Sequence, residues 1–193
     1  MKVSVSFFAI MLIFSLALSG AYFALIPLTA AALHELGHIF AARVRGVRLK
    51  NFDIGIFGAR LTMSGGICSY LDEIIVCAAG PLVNLILAVI SLIICNSCGR
   101  ENELVSLFIF SSLSLGMINL LPIKSFDGGR ILGAILSYAV DTAVAEKILN
   151  LLTFLSLFTL WCISLYLLLR TSASLSLFVF SASLFSSIFV EKA

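Results

Sequence analysis

Charge is what this sequence has least of. Only 11% of its residues are Asp, Glu, Lys or Arg, against roughly 25% in soluble globular chains. A soluble domain of 193 residues could not cover its surface with so few ionic groups, so that class is excluded and lipid must solvate most of the exterior. The net charge is +2 and no basic run could track a nucleic-acid backbone, so no nucleic-acid partner is expected. Proline occurs three times, which leaves long runs free of helix breakers. The five cysteines, Cys68, Cys77, Cys95, Cys98 and Cys162, are scattered among apolar neighbours, where cysteine behaves as a small hydrophobe. Cys95 and Cys98 form a C-x-x-C, too little by itself for a metal or redox site.

What the chain has instead is apolar sequence, 61% hydrophobic with a mean hydropathy of +1.17. A helix that crosses a bilayer needs about 20 apolar residues. On that measure spans are expected at 3–19, 21–44, 72–95, 103–121, 146–169 and 171–190. The expected fold is an all-α polytopic membrane protein of about six transmembrane helices. It forms one membrane-embedded domain over 1–193, with its motifs in 20–140 and two C-terminal helices in 146–190. A rival reading makes residues 1–20 a cleaved signal peptide, but the charged leader is thin and the next segment is membranous too.

Two stretches depart from this pattern. Residues 47–66 alternate loosely, with Phe52, Ile54 and Ile56 on one side, and are punctuated by Gly55, Gly58, Gly65 and Gly66. That predicts a membrane-associated β-hairpin after the second helix, turning near Gly58. Such backbone survives in a membrane only beside protein or a wet cavity. Residues 122–141 read as a loop around Asp127 followed by a short amphipathic helix. Counting Lys and Arg orients the whole. With a cytoplasmic N-terminus, Lys2, Arg43, Arg45, Arg48, Lys50, Arg60, Lys124, Arg130, Lys147 and Lys192 lie inside, and only Arg100 and Arg170 outside.

The chain's two histidines both stand in His34-Glu35-Leu36-Gly37-His38, an H-E-x-x-H motif. Helical positions i and i+4 share a face, so both imidazoles can reach one metal ion. Glu35 lies to the side, suited to act as a base on water rather than as a ligand. Each ionisable group inside an apolar run costs on the order of 2.5–3.5 kcal/mol, and metal ligation offsets three of them where simple helix-gluing does not. Asp127, beside Gly128 and Gly129, is the best third ligand; its alternative is to cap the helix that follows. Cys77 is a weaker rival. Asn119, eight residues before Asp127, is placed to donate to a developing oxyanion. Asn84 is either a substrate-binding residue or glue between helices.

Together HELGH at 34–38, AAGPLVN at 78–84 and INLLPIKSFDGGR at 118–130 resemble the site-2 protease family of intramembrane metalloproteases, over about residues 20–140. The layout is most similar to the branch of the stage IV sporulation protease FB, though the CBS domain usual in that branch and a PDZ-like insertion are both expected to be lacking. The resemblance implies Zn2+ on His34, His38 and Asp127, with Glu35 and Asn119 in catalysis. It implies a membrane-protein substrate, in whose binding Asn84, Phe52, Ile54 and Ile56 are expected to take part. It also implies a bacterial membrane with the site toward the cytoplasm, and leaves room for a regulatory partner. A metal transporter and a catalytically inactive scaffold are the alternatives. One departure stands out: Ser125 and Phe126 replace the proline and aliphatic residue common before the aspartate, which predicts a looser loop.

Overall fold

In the computed structural model, residues 2–5, 22–47, 49–55, 58–63, 69–98 and 102–171 are described, with side chains described over 23–47, 69–97 and 102–170. In chain order come strand β1 (Lys2–Val5), a 3-10 turn (Tyr22–Ala24), helix α1 (Leu25–Val44), strands β2 (Leu49–Gly55) and β3 (Gly58–Met63), and helices α2 (Tyr70–Cys98), α3 (Glu103–Asn119), α4 (Asp127–Ala139) and α5 (Thr142–Thr171). They fall into two compact units, residues 1–120 and 121–193.

Among the described residues, three helices are long and apolar enough to cross a membrane: Leu25–Val44, Tyr70–Ser97 and Thr142–Arg170. Their outward side chains are what lipid requires, with Phe40 71%, Val44 70% and Leu169 78% exposed. This is a helical, integral membrane protein. Six crossing helices are more than the described residues contain. Helix α3 is apolar but has 17 residues, short of a full span. The sixth expected span lies outside the described residues, as does the first apart from its opening residues. Those residues, Val3 to Val5, are extended rather than helical: Lys2–Val5 pairs in parallel with β2, Val3 opposite Phe52. The local alternation of valine and serine has the period of a strand. Strands β2 and β3 run antiparallel with Gly55 opposite Gly58. Residues 56 and 57, which link them, lie outside the described residues, and the membrane-associated hairpin is taken up as a proposal below.

In the first unit the helix ends are written in the local sequence. Pro27 sits in the first turn of α1, where its missing N–H has no partner to lose. The helix stops at Gly46, which has φ +68°. There Gly46 N–H donates to Arg43 O at 3.2 Å and Val47 N–H to Ala42 O at 2.9 Å, the paired bonds of a Schellman stop. Among the described residues nothing lies within 4 Å of a Cβ at this glycine, and its positive φ is the feature that calls for glycine. Gly46→Ala is therefore expected to cost roughly 1–2 kcal/mol, read as a lowered unfolding midpoint in detergent. At the C-cap, just before the stop, Arg45 Nη2 meets Asp72 Oδ1 at 2.6 Å. Asp72 is in the first turn of α2, where a carboxylate also complements the helix dipole.

Lipid offers no hydrophobic drive between helices, so these associate by close contact of small residues. A Cβ on Gly37 of α1 would lie 2.9 Å from Ala79 O of α2, and one on Gly116 of α3 would lie 3.3 Å from Pro81 O. Ala30 and Ala42 are fully buried. The seam between α1 and α2 is thus backbone against backbone.

The second unit opens with a tight turn. Ile123 N–H donates to Leu121 O, and Phe126 N–H to Ile123 O, each at 2.8 Å. Helix α4 then starts at Asp127, and a Cβ at Gly129 would run into Ile123 O, so glycine is required there.

Candidate metal centre

The site begins with helix geometry. His34 is the tenth of the twenty residues of α1, half-way along a candidate span. One turn later His38 shares its face. The two are 4% and 6% exposed, and their Nε2 atoms are 3.2 Å apart, with the rings at 83°. His38 Nδ1 lies 2.7 Å from Val76 O of α2. A carbonyl only accepts, so the proton of this imidazole is on Nδ1 and its Nε2 carries a lone pair. Gly80, one turn further along α2, makes the room: a Cβ there would overlap the His38 ring.

The donor set fits zinc. Two nitrogens, each about 2.0–2.1 Å from one tetrahedral ion, are about 3.3 Å apart, close to the spacing of these Nε2 atoms. A metal-binding histidine normally donates its other N–H to a carbonyl or carboxylate, as His38 does to Val76. Asp127, the third ligand expected from the sequence, belongs to the second unit.

Asp127 is the first residue of α4, and Phe126 occupies the N-cap position. The capping alternative therefore does not describe it. Glu35 is half-buried on α1, about 100° round the helix from His34. Asn119 closes α3, its Nδ2 donating back to Leu115 O at 3.0 Å. Asn84 of α2 is fully buried, and its Nδ2 is 3.5 Å from His34 Nδ1. The side chains of Phe52 and Ile54, and residue Ile56, lie outside the described residues. Lys124 Nζ lies 3.2 Å from Glu146 Oε1 in an exposed pair.

A model of peptidase family M50 matches residues 22–99 and 97–163. The chain belongs to peptidase family M50. Two of its family relatives illustrate the range. The chain is 34% identical over 126 residues to a zinc metalloprotease of Methanocaldococcus jannaschii, covering 62% of this chain and 37% of that protein. It is 31% identical over 152 residues to the stage IV sporulation protein FB of Bacillus subtilis, covering 78% of this chain and 52% of the other. The chain thus spans about half or less of these curated relatives. The structure of the site-2 protease from Methanocaldococcus jannaschii is similar at a TM-score of 0.60 and 28% identity, covering 83% of this chain and 72% of that one.

One residue of this M50 site escaped the sequence reading. Thr153, on α5 and 3% exposed, holds the loop before Asp127. Its Oγ1 accepts Lys124 N–H at 3.0 Å and donates to Pro122 O at 3.4 Å. The loop expected to be loose, because of Ser125 and Phe126, is fastened from another helix. A threonine among apolar residues of a span was the only signal. Thr153→Val keeps the volume but leaves the Lys124 amide without its partner, and is expected to cost about 1–3 kcal/mol. The measurements are the unfolding midpoint and the zinc content retained after dialysis, both expected to fall.

Proposed function

We propose that this chain is an intramembrane zinc metalloprotease, hydrolysing a peptide bond in or near a transmembrane segment of a membrane-bound substrate. The observation that carries this reading is the histidine pair: two buried imidazoles, half-way along an apolar helix, with facing nitrogens at 3.2 Å. The names of the M50 relatives support it. In this reading His34, His38 and Asp127 hold Zn2+. The ion, when bound, supplies a Lewis acid that polarises the scissile carbonyl and lowers the pKa of a coordinated water to about 7.

The protein's own groups do the rest. Glu35 takes a proton from the attacking water and returns it to the leaving amine. Asn119 gives up its bond to Leu115 O and donates to the oxyanion as negative charge develops. A substrate helix hides its peptide bonds in its own hydrogen bonds and must unwind before attack. Residues 47–66 form a membrane-associated hairpin that receives the unwound segment as an added strand, with Phe52, Ile54 and Ile56 along its contact face. The excess of Lys and Arg on one side places the site toward the cytoplasm of a bacterial cell membrane, with the whole chain acting as one membrane domain crossed by about six helices.

The test is direct. Purified protein is incubated in detergent with a panel of single-span membrane proteins, and the fragments are read by mass spectrometry. Cleavage inside or beside a span, lost on chelation and restored by zinc, is the expected result. Fragments that persist at full yield under chelation would remove the metal from the reaction and the proposal with it.

A further inference from the structure

Asn84 is a buried polar side chain of the first unit with a group still to be explained. It is fully buried, its Oδ1 has no hydrogen-bond partner among the described residues, and its Nδ2 stands 3.5 Å from His34 Nδ1. The nitrogen and oxygen of an amide exchange places by a half-turn, and the hydrogen-bond network decides between them. With the nitrogen toward His34, Nδ1 must accept. The imidazole proton then sits on Nε2, and the ring has no lone pair to offer an ion. With the oxygen toward His34, Nδ1–H donates and the Nε2 lone pair is free.

The fold argues for the second arrangement. Positions 76, 80 and 84 are four apart and form one stripe on α2, opposite the four-residue spacing of 34 and 38 on α1. At one end of the stripe Val76 O receives His38 Nδ1–H at 2.7 Å. In the middle Gly80 makes space for that ring. At the other end stands Asn84, opposite the equivalent nitrogen of the second histidine. At this end the group facing the imidazole nitrogen is the side-chain amide of Asn84 rather than a backbone carbonyl. A side-chain carbonyl can do the same work.

We propose that Asn84 is a positioning residue of the metal centre. Its Oδ1 accepts His34 Nδ1–H and fixes that imidazole with Nε2 toward the ion, as Val76 O does for His38. This rests on the reading of His34 as a metal ligand, and it gives Asn84 a role through the histidine in place of the substrate contact expected from the sequence. Loss of such a partner typically weakens metal binding 10–100-fold.

The experiment measures Co2+ and Zn2+ affinity of the full chain in detergent for wild type, Asn84→Leu, Asn84→Asp and His34→Ala, with no activity involved. Asn84→Leu is expected to bind about 10–100-fold more weakly, and Asn84→Asp, which keeps an acceptor, within about threefold of wild type. His34→Ala is expected to lose the site. Wild-type affinity in Asn84→Leu, beside lost binding in His34→Ala, overturns the role of Asn84 alone. Wild-type affinity in His34→Ala overturns the metal-site reading beneath it. Should Asn84→Leu fail to fold, histidine 15N spectra of the zinc-loaded wild type decide instead. With two histidines in the chain, His34 is assigned by its absence from the His34→Ala spectrum. A proton on its Nδ1 is expected, and a proton on Nε2 overturns the proposal.

Discussion

Replacing Glu35 by glutamine should lower peptide hydrolysis by about 10²–10⁴-fold, the range lost when a positioned general base is removed, and should leave the bound zinc unchanged. The two halves of this result come from one helix. His34 and His38 lie a turn apart on the same face, and Glu35 lies about 100° away, so the base can be altered without touching a ligand. Glutamine has the length and shape of glutamate but cannot accept the proton of the attacking water. Cleavage of a membrane-span substrate and metal content by mass spectrometry are read on the same sample. Equal cleavage by the variant and the wild type would mean that Glu35 is not the base. Zinc lost together with activity would mean that Glu35 is needed to build the site. A transporter built on the same ligands would move metal equally well with glutamine at this position.

The second large effect is expected from the smallest change, Gly80→Ala. The added methyl would overlap the His38 ring, with Cε1 at 2.6 Å and Cδ2 at 2.8 Å from the new carbon. The ring cannot swing aside without giving up its bond to Val76 O at 2.7 Å, and with it the tautomer that exposes Nε2. Zinc affinity is expected to fall at least about 10–100-fold, as when an orienting partner is lost, and hydrolysis to fall with it. Gly133→Ala is the control. Among the described residues its Cβ would meet only the Leu149 Cδ2 methyl, at 3.3 Å, which a flexible side chain can yield, so metal content should not change. Wild-type zinc affinity in Gly80→Ala would show that His38 tolerates a second position and that the cradle is not needed.

Part of this site was legible in the residues alone. HELGH needs only the period of a helix to bring two imidazoles together, and the charge-poor run around it required a reason for three ionisable groups. Asp127 could be proposed as a third ligand because two glycines and a proline mark a sharp turn after an apolar run. The contacts between helices were not legible. Periodicity says which residues share a face but not which face of a neighbour they meet, so the pairing of His38 with Val76 O could not be read. The need for Gly80 follows from that same contact and was equally hidden. Thr153 was missed for a further reason: its partners are backbone atoms 29 and 31 residues away, and backbone carries no sequence signature. At the N-terminus the apolar run predicted a helix from residue 3, where the alternation of Val3, Ser4 and Val5 favours the strand that is found.

The central placement of His34 in α1 has a consequence for the supply of reactants. At 1.5 Å per residue, it lies about 14 Å from either end of the helix. Hydrolysis consumes one molecule of water per bond cut. At the spacing of hydrogen-bonded oxygens, that distance is a file of about five water molecules. A proteolytic centre at this depth would therefore have to be refilled through a hydrated thread after every turnover, and lowering water activity with an osmolyte should slow it even at saturating substrate.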